Sequence, residues 1–533
     1  MTIYLDHAAT TPLDPRVAAA MSEWLMSPAG QANPASATHG PGLAASARVE
    51  QARAEVAALI GAEAREIIFT SGATEANNLA LLGVAAAALR AHSARRQAAP
   101  RRGHFIGSRV EHKSVLDTLG HLEKTGFAVT WLEPDEHGRI PMDAVRTALR
   151  EDTLLVSLML ANNEIGVLND VAGLRSLAAA HGFLLHTDAS QAPGKIRVNV
   201  EELGVDLLSF TAHKFYGPKG IGALYVRESA RPRLAPIQFG GGHERGLRSG
   251  TLPTHQVLGF GLAATLAAEH LARDAAHARD LATRLCRELE TIPDIEFNSQ
   301  LERNVPGLVN VSFPGVEGES LITGLADIAV STGSACSSAT REASYVLRAL
   351  GRSTGLAQSS LRISLGRFTT AAEVDAAATA IRDEVARLRE LAGDPAPGSR
   401  APRAPPEAGS LAARQLNELA RRHFFAPARL PRFPEGCAPA GFRQGRAGRV
   451  DQGTSVRVEI EIAAGIVKNA RFTVYGCPHT VAVTAWLCEV LEGGRRDAGL
   501  PGGPADWADK FAVPAEKLGR LLVVEDAMRA ALG

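Results

Sequence analysis

Short apolar runs alternate with segments of helical periodicity between about residues 50 and 260. The runs that we interpret as buried strands are residues 67–69, 104–106, 154–160, 183–185 and 207–210. Amphipathic segments such as residues 171–181 lie between them. Strands and helices in this alternation predict an α/β fold, in which helices cover a parallel sheet.

Polar clusters follow or end three of the predicted strands. They are residues 70–74, 162–164 and 186–188. In open parallel sheets, ligands bind beyond the carboxyl ends of the strands. We therefore expect a binding site where these clusters meet.

Composition and charge exclude several classes of function. Lys and Arg together number 57 and so do Asp and Glu, so the net charge is zero and neither nucleic acid nor a membrane surface is indicated as a partner. No apolar run reaches the roughly 18–20 residues that span a bilayer, and the N-terminal residues lack the pattern of a secretory signal. Five cysteines in 533 residues are too few for a disulfide framework, so we expect a reduced, cytoplasmic protein.

The rest of the chain divides into a second region and a tail. Residues 261–392 begin and end with long helical patterns, and residues 394–410 are rich in Pro, Ala and Gly without apolar periodicity. That composition is typical of a linker. Residues 456–462 and 471–475 alternate apolar and polar side chains like half-exposed strands, so we predict a small, separate α+β domain over 411–533.

Lys214 and Asp188 are the first candidates for chemistry. Lys214 follows a predicted strand and precedes a Gly-rich stretch, where a desolvated lysine could form a Schiff base. A solvated loop lysine is the alternative. Asp188 ends another strand and could face a cofactor's pyridine nitrogen. A helix cap or turn aspartate is the alternative there.

Two further segments carry possible chemistry. Residues 71–74 precede a predicted helix, whose N-terminus could bind an anion or could be a plain cap. Cys336 lies among eight small residues, 331–338, without an apolar anchor. Such a thiol could be an exposed, mobile nucleophile, whereas the alternative is an ordinary flexible loop.

Ten collinear segments resemble the NifS/IscS-type cysteine desulfurases, which are fold-type I, class V aminotransferase-like pyridoxal-phosphate enzymes. The segments are YLDHAATTP, NPASATHG, FTSGATEANNLA, VEHKSVL, NNEIGV, HTDASQAPGK, SFTAHKFYGPKGIGALYV, GGGHERGLRSGT, STGSACSSA and SSLRISLGRFT. The resemblance implies an enzyme over residues 1–393. Its large, mostly parallel sheet domain would span about 16–260, and a smaller α+β domain would combine 1–15 with 261–393.

The resemblance also implies roles for matching residues. Lys214 would form the Schiff base with pyridoxal 5'-phosphate, Asp188 would partner the pyridine nitrogen, and His112 would stack on the ring and take part in proton transfer. Arg362, assisted by Asn33, would bind the substrate carboxylate. Further cofactor contacts would come from Asn163 and Gln191 at the ring and its phenolic oxygen, and from Ala73, Thr74, Thr211, His213 and a second subunit's Thr251 at the phosphate.

The implied reaction converts L-cysteine to L-alanine and leaves a persulfide on Cys336. That sulfur would supply iron–sulfur cluster assembly or another thio-cofactor, through acceptor or scaffold proteins that bind a homodimer. Selenocysteine lyase or another pyridoxal-phosphate reaction on the same frame, such as an aminotransferase, is the alternative. Cys336 in its small-residue loop argues against an aminotransferase.

Residues 411–533 more faintly resemble an IscU-type iron–sulfur scaffold. The likeness rests on residues 416–434, 465–477 and 525–531. Such scaffolds bind a cluster through three cysteines with an aspartate and a histidine nearby, and here only Cys477 matches. The other ligand positions correspond to Gln452, Thr454, Gly519 and Arg520.

That loss predicts that the tail holds no cluster in the usual way, because thiolates are the usual cluster ligands. Cys477 could instead accept a persulfide, or the domain could serve only in docking. Cys437, Cys488 and His479 could supply a zinc site, although their spacing fits no compact motif. We assign no metal. A further alternative is a sulfur-relay or interaction protein in which the tail is the working part.

Overall fold

A seven-stranded sheet forms the centre of the large domain in the computed structural model, which describes residues 2–94, 103–332, 343–393, 415–428 and 442–533. Its strands are β2 (Ile67–Thr70), β3 (His104–Ser108), β4 (Ala128–Leu132), β5 (Thr153–Ser157), β6 (Leu184–Asp188), β7 (Leu207–Thr211) and β8 (Gly222–Val226). They lie in the order β2-β8-β7-β6-β5-β3-β4, and β8 alone runs antiparallel to its neighbours. The predicted α/β class with a mostly parallel sheet is therefore confirmed.

The strand predictions differ from the structure of this sheet in four places, the first of which is that β4 was not predicted. The predicted run 154–160 ends as a strand at Ser157, and the run 183–185 is the beginning of a strand that continues to Asp188. Strand β8 was not among the predicted strands either, and it is the antiparallel member of the mostly parallel sheet. Only ten residues, 212–221, connect β7 to β8, which is too short for the crossover that a parallel neighbour requires.

Helices cover both faces of this sheet. They are α1 (Pro15–Met26), α2 (Gly40–Leu59), α3 (Ala73–Ala94), α4 (Lys113–Lys124), α5 (Met142–Ala148), α6 (Arg175–His181) and α7 (Val200–Leu203). Every residue of β3, β6 and β7 is buried, as expected for parallel strands covered on both sides. Two apolar clusters result, one on each side of the sheet.

The small domain joins the N-terminal residues to the region after residue 260. Strand β1 (Ile3–Tyr4) pairs in parallel with β11 (Ile328–Ala329), and β9 (Glu296–Phe297), β10 (Leu308–Ser312) and β12 (Ser360–Ser364) form an antiparallel sheet. Its helices are α8 (Thr254–Leu289), α9 (Gly318–Gly324), α10 (Tyr345–Ala349), α11 (Thr354–Gln358) and α12 (Ala371–Ala392). Helix α8 packs on both α2 and α12, so the predicted boundary near residue 260 falls inside a continuous helix.

The C-terminal region is an antiparallel three-stranded sheet with helices. Its elements are α13 (Glu418–Phe425), β13 (Phe442–Arg449), β14 (Thr454–Ala463), β15 (Ile466–Tyr475), α14 (Pro478–Leu491), α15 (Pro504–Phe511) and α16 (Leu518–Leu532). Both predicted strands lie within β14 and β15. Its buried apolar side chains form one continuous cluster with those of the small domain, and its standing as a separate domain stays a prediction. The predicted linker, 394–410, lies outside the described residues.

Among the helices that the structure describes, none combines the length and the hydropathy that a membrane span requires.

Candidate active site

A cavity of about 540 Å³ opens at the carboxyl ends of the parallel strands. Its size is ordinary for a small-molecule site. Ten of the residues predicted from the sequence line it, namely Ala73, Thr74, His112, Asn163, Asp188, Gln191, Thr211, His213, Lys214 and Arg362. The strand ends bring these residues together from positions separated by almost 300 residues of sequence, as expected for a sheet of this kind.

Lys214 ends a short 3₁₀ turn that directly follows β7. Its Nζ donates hydrogen bonds to the main-chain oxygens of Ala8 at 2.6 Å and Ala9 at 2.7 Å. The preceding His213 contacts Thr10 through Nδ1 at 3.1 Å, and burial, with added repulsion from Lys214, lowers the pKa of His213 to about 4. The N-terminal segment thus holds both residues at the cavity wall.

Asp188 is the last residue of β6, and only 4 % of it is exposed. Its Oδ2 accepts a hydrogen bond from Asn77 Nδ2 at 2.7 Å. Its Oδ1 accepts from the main-chain nitrogen of Ser190 at 2.9 Å and from the Ser190 hydroxyl at 2.6 Å. Three donors therefore hold this carboxylate in one orientation at the floor of the cavity.

His112 is the N-cap of α4, and this position determines its tautomer. Its Nδ1 accepts a hydrogen bond from the main-chain nitrogen of Ser114 at 3.1 Å. Because Nδ1 serves as an acceptor, the proton of the neutral ring belongs on Nε2. The helix start thus leaves Nε2 as the ring atom that can donate a proton.

Arg362 lies in β12, where only 2 % of the residue is exposed. One Nη donates to the main-chain oxygen of Asn163 at 2.9 Å, and the other donates to Asp6 Oδ1 at 2.9 Å. Asp6 is held in turn by the hydroxyl of Ser331 at 2.8 Å. Within the described part of the chain, Arg362 Nε has no hydrogen-bond partner.

The residues at this cavity fit the expected pyridoxal 5'-phosphate. The amide oxygen of Asn163 is buried without a partner among the described residues, although a buried polar atom normally has one. The 22-residue helix α3 begins at Ala73 and points its N-terminus at the cavity, which suits a phosphate. Lys214 would supply the amine for the aldehyde of the cofactor. Asp188 would supply the carboxylate for its pyridine nitrogen.

Of the four remaining predicted residues, Thr251, Asn33 and Cys477 do not line the cavity of this chain. Thr251 is exposed and does not line the cavity of its own chain, so its role toward a second subunit stays a prediction. Asn33 lies in an exposed turn, where its Oδ1 accepts a hydrogen bond from the main-chain nitrogen of Ala35 at 2.9 Å, and its role toward the substrate stays a prediction. Cys336 lies outside the described residues. Cys477 is fully buried in the C-terminal region.

The structure adds three residues that the sequence did not single out. Glu111 precedes His112, Asp6 holds Arg362, and Lys195 donates to Gln191. All three lie inside segments that carry the family resemblance. Their position in those segments was the one signal that could have identified them. Their contacts could not be predicted, because the partners are up to 356 residues away in sequence.

Comparison with known proteins agrees with this architecture. The family described as "Aminotransferase class-V" matches residues 3–377. Cysteine desulfurase IscS of Methylococcus capsulatus is 52% identical over 392 residues, which is 73% of this chain and 94% of the relative. A similar IscS from Pseudomonas aeruginosa is 51% identical over 391 residues, again 73% of this chain and 94% of the relative.

Solved structures give the same result. A NifS-like protein superposes with a TM-score of 0.64 at 36% identity, covering 72% of this chain and 99% of that one. SspA in complex with cysteine superposes with a TM-score of 0.61 at 36% identity, covering 69% and 100%. The chain therefore belongs to the class-V aminotransferase family and, within it, to the IscS/NifS-like cysteine desulfurases, which are pyridoxal-phosphate enzymes.

Proposed function

We propose that this chain transfers the sulfur of L-cysteine to Cys336, with Lys214 carrying the cofactor. The observation that supports the proposal most is the convergence of ten predicted side chains on one cavity. In the reaction, the carbon–sulfur bond of cysteine breaks and a sulfur–sulfur bond to Cys336 forms. The β-carbon of the substrate gains one hydrogen, which balances the proton that the Cys336 thiol loses. Cysteine and a thiol thus become L-alanine and a persulfide.

The side chains at the cavity divide the work of this reaction. When bound, pyridoxal phosphate supplies an electron sink that weakens the bond to sulfur. Asp188, held by its three donors, would keep a proton on the ring nitrogen. Lys214 Nζ and His112 Nε2 are the atoms that would move protons at the substrate, while the N-terminus of α3 would hold the phosphate.

Arg362 would bind the carboxylate of the substrate. Two of its nitrogens are already held by Asn163 and Asp6, so its plane is set before substrate arrives. Among the described residues the Nε group has no partner, so it has a donor for a carboxylate oxygen. Ser331 pairs with Arg362 through both main-chain groups, so the segment that carries Cys336 starts beside this arginine.

The test uses two variants of the full chain. Cys336→Ala should keep the visible absorption of the cofactor and lose sulfide production from L-cysteine in the presence of a reductant. Lys214→Ala should lose the absorption itself. Unchanged sulfide output from Cys336→Ala would refute the assigned nucleophile, and a coloured Lys214→Ala protein would refute the assigned anchor.

We propose a homodimer in which Thr251 reaches the partner's phosphate site. Thr251 is exposed and does not line the cavity of its own chain, which supports this assignment. Sedimentation of the full chain should give twice the mass of one chain. Thr251→Ala should weaken cofactor binding without dissociating that dimer, and a monomeric, fully active enzyme would contradict the proposal.

We propose that the C-terminal region is a degenerate IscU-like domain that serves in docking. Its contacts with α9 support docking, since Lys517 pairs with Glu319, Arg520 pairs with Glu317 at 3.4 Å, and the Ser320 hydroxyl donates to the main-chain oxygen of residue 476 at 2.8 Å. No group of three or more His, Cys, Asp or Glu side chains in the described ranges could hold a metal ion.

A second role, sulfur acceptance at Cys477, has one observation in its favour. Cys477, the N-cap residue of α14, interacts with the guanidinium of Arg520. Its complete burial requires the domain to move before sulfur could arrive. Mass spectrometry after cysteine treatment decides the matter, because sulfur added at Cys477 in the wild type, but not in Cys336→Ala, would establish acceptance. Its absence would leave docking as the role.

A further inference from the structure

A second lysine lies directly behind the cofactor lysine. Lys195 donates from Nζ to Gln191 Oε1 at 2.6 Å. The other end of that amide, Gln191 Nε2, donates to the main-chain oxygen of Ala8 at 2.8 Å. Lys214 donates to the same oxygen at 2.6 Å, so the two lysines are linked through one amide and one carbonyl. Both lysines also line a small cavity of about 20 Å³ behind the site.

The charges around Lys195 are mostly positive. Asp274 and Arg367 line the same small cavity, but the carboxylate of Asp274 pairs with Arg367 at 2.6 Å, and within the described residues Lys195 forms no ion pair. Burial, together with repulsion from Lys214 and Arg362, lowers the pKa of Lys195 to about 7. His7 and His213 also face it, and the positive charge of Lys195 contributes to their lowered pKa values of about 4.

An ammonium group next to an amide determines which way the amide faces. The ammonium form of lysine donates hydrogen bonds and cannot accept them, so below its lowered pKa Lys195 selects the oxygen of Gln191 and turns the nitrogen toward Ala8 and the cavity. The amide nitrogen has a second hydrogen beyond the one given to Ala8. If the amide were flipped, Gln191 Oε1 would face Ala8 and the cavity. An oxygen there could not donate a hydrogen bond to the phenolic oxygen of the expected cofactor.

We propose that Lys195 is a positioning residue that fixes the Gln191 amide as a donor toward the cofactor and favours the neutral amine of Lys214. The inference rests on the proposed roles of Gln191 and Lys214. Two ammonium groups close together repel each other, and a neighbouring cation is a known way to keep a reactive lysine uncharged. Neither effect requires Lys195 to touch the substrate.

The test compares Lys195→Met with Lys195→Arg in the holoenzyme. Methionine removes donor and charge at similar volume, whereas arginine keeps both. For Lys195→Met we expect the pH midpoint of the cofactor's visible absorption to rise by on the order of one unit. We also expect the dissociation constant for pyridoxal phosphate to increase on the order of tenfold. Lys195→Arg should retain values near the wild type.

Lys124→Met removes an exposed lysine at the end of α4 and is the matched control. If Lys195→Met behaves like this control in both measurements, Lys195 has no positioning role. If Lys195→Arg is as impaired as Lys195→Met while both melt like the wild type, packing and not charge is responsible, which also overturns the proposal. A coloured Lys214→Ala protein would instead show that the proposed function has failed.

Discussion

Two buried carboxyl groups near the cavity have opposite surroundings. Asp188 receives three hydrogen bonds spread over both oxygens. Glu111 receives two on one oxygen, from Ser108 and the main-chain nitrogen of Met159, while its other oxygen has no partner in the described part of the chain. Burial raises the pKa of Glu111 to about 8, and the charge of Asp188 adds to the shift. Glu111 therefore carries a proton at neutral pH.

Replacing Glu111 by glutamine should change how stability depends on pH. Between about pH 4.5 and 8 the folded wild type keeps a proton that the unfolded chain releases, so its free energy of unfolding falls as pH rises. Glutamine cannot ionise. We expect Glu111→Gln to gain stability relative to the wild type with rising pH, by at most about 1.4 kcal/mol per unit.

Urea unfolding at several pH values between 5 and 8 measures this difference. Glu123→Gln changes an exposed carboxyl group of the same helix region and should follow the wild type at every pH. Parallel curves for Glu111→Gln and the wild type would show that Glu111 is ionised in the folded protein.

The sequence was sufficient to predict the site residues that lie at or just after strand ends. It was not sufficient to predict the residues that hold those side chains in place. Lys214 and Asp188 each follow or end an apolar run, and strand ends of a parallel sheet meet at one edge. Asp6 meets Arg362 only because β1 joins the small domain, a pairing that no local pattern encodes. Asn33 was assigned by resemblance alone, and the hydrogen bond that its Oδ1 accepts from Ala35 is a local turn contact that does not test that role.

At the scale of elements, a buried ion pair connects α2 to β2, the strand that leads to the N-terminus of α3. Arg53 in α2 pairs with Glu244 through two hydrogen bonds of 2.7 and 2.8 Å. Glu244 also accepts from the main-chain nitrogen of Phe69 at 2.7 Å, one residue before β2 ends at Thr70. The pair therefore holds the Gly-rich segment 240–246 against the strand that leads to α3.

Arg53→Met should destabilise the protein by about 3–5 kcal/mol, because it leaves the carboxylate of Glu244 buried without its cation. The double variant Arg53→Met with Glu244→Met should recover most of that loss, since apolar side chains then fill the site. Denaturant unfolding of both variants measures the effect. A double variant no more stable than Arg53→Met would show that the pair does not act through charge burial.

The elements also show where a periodic pattern stops being informative. Apolar runs located β2, β3, β5, β6 and β7, but they cannot give strand direction. The antiparallel β8 follows from the short connection after Thr211, and its five residues read as part of a Gly-rich motif instead of a strand. The continuous α8 likewise hides a domain boundary, because helical periodicity does not change where one core ends and the next begins.

Over the whole molecule, the C-terminal region completes the core of the small domain. Apolar side chains of α12 and β15 belong to one buried cluster, and Arg387 of α12 donates to the main-chain oxygen of Phe424 at 2.8 Å. Charged pairs surround this core at α9. Burial raises the pKa of Glu317 there, and repulsion from Glu319 adds to the shift while Arg520 opposes it. Two acidic side chains on α9 thus depend on the cations of the C-terminal region.

Reversing one charge of this contact should loosen the C-terminal region without affecting the cofactor site. Glu319→Lys puts a cation beside Lys517, whose side chain is only 4% exposed, so we expect a loss of about 1–3 kcal/mol at the interface. Limited proteolysis should then release the region faster, while cofactor absorption stays unchanged. Combining Glu319→Lys with Lys517→Glu restores opposite charges and should return cleavage toward the wild-type rate.

Arg495→Glu is the control for this prediction, because Arg495 and Asp497 form a pair on the same region that is 76% and 67% exposed. Exposed pairs contribute about 0–1 kcal/mol, so this reversal should leave cleavage unchanged. Equal cleavage of Glu319→Lys and Arg495→Glu would mean that the shared apolar core alone holds the region. Faster cleavage of Glu319→Lys that the added Lys517→Glu corrects would mean that α9 recognises its neighbour by charge. The double variant differs from the wild type only in which of the two positions carries the positive charge.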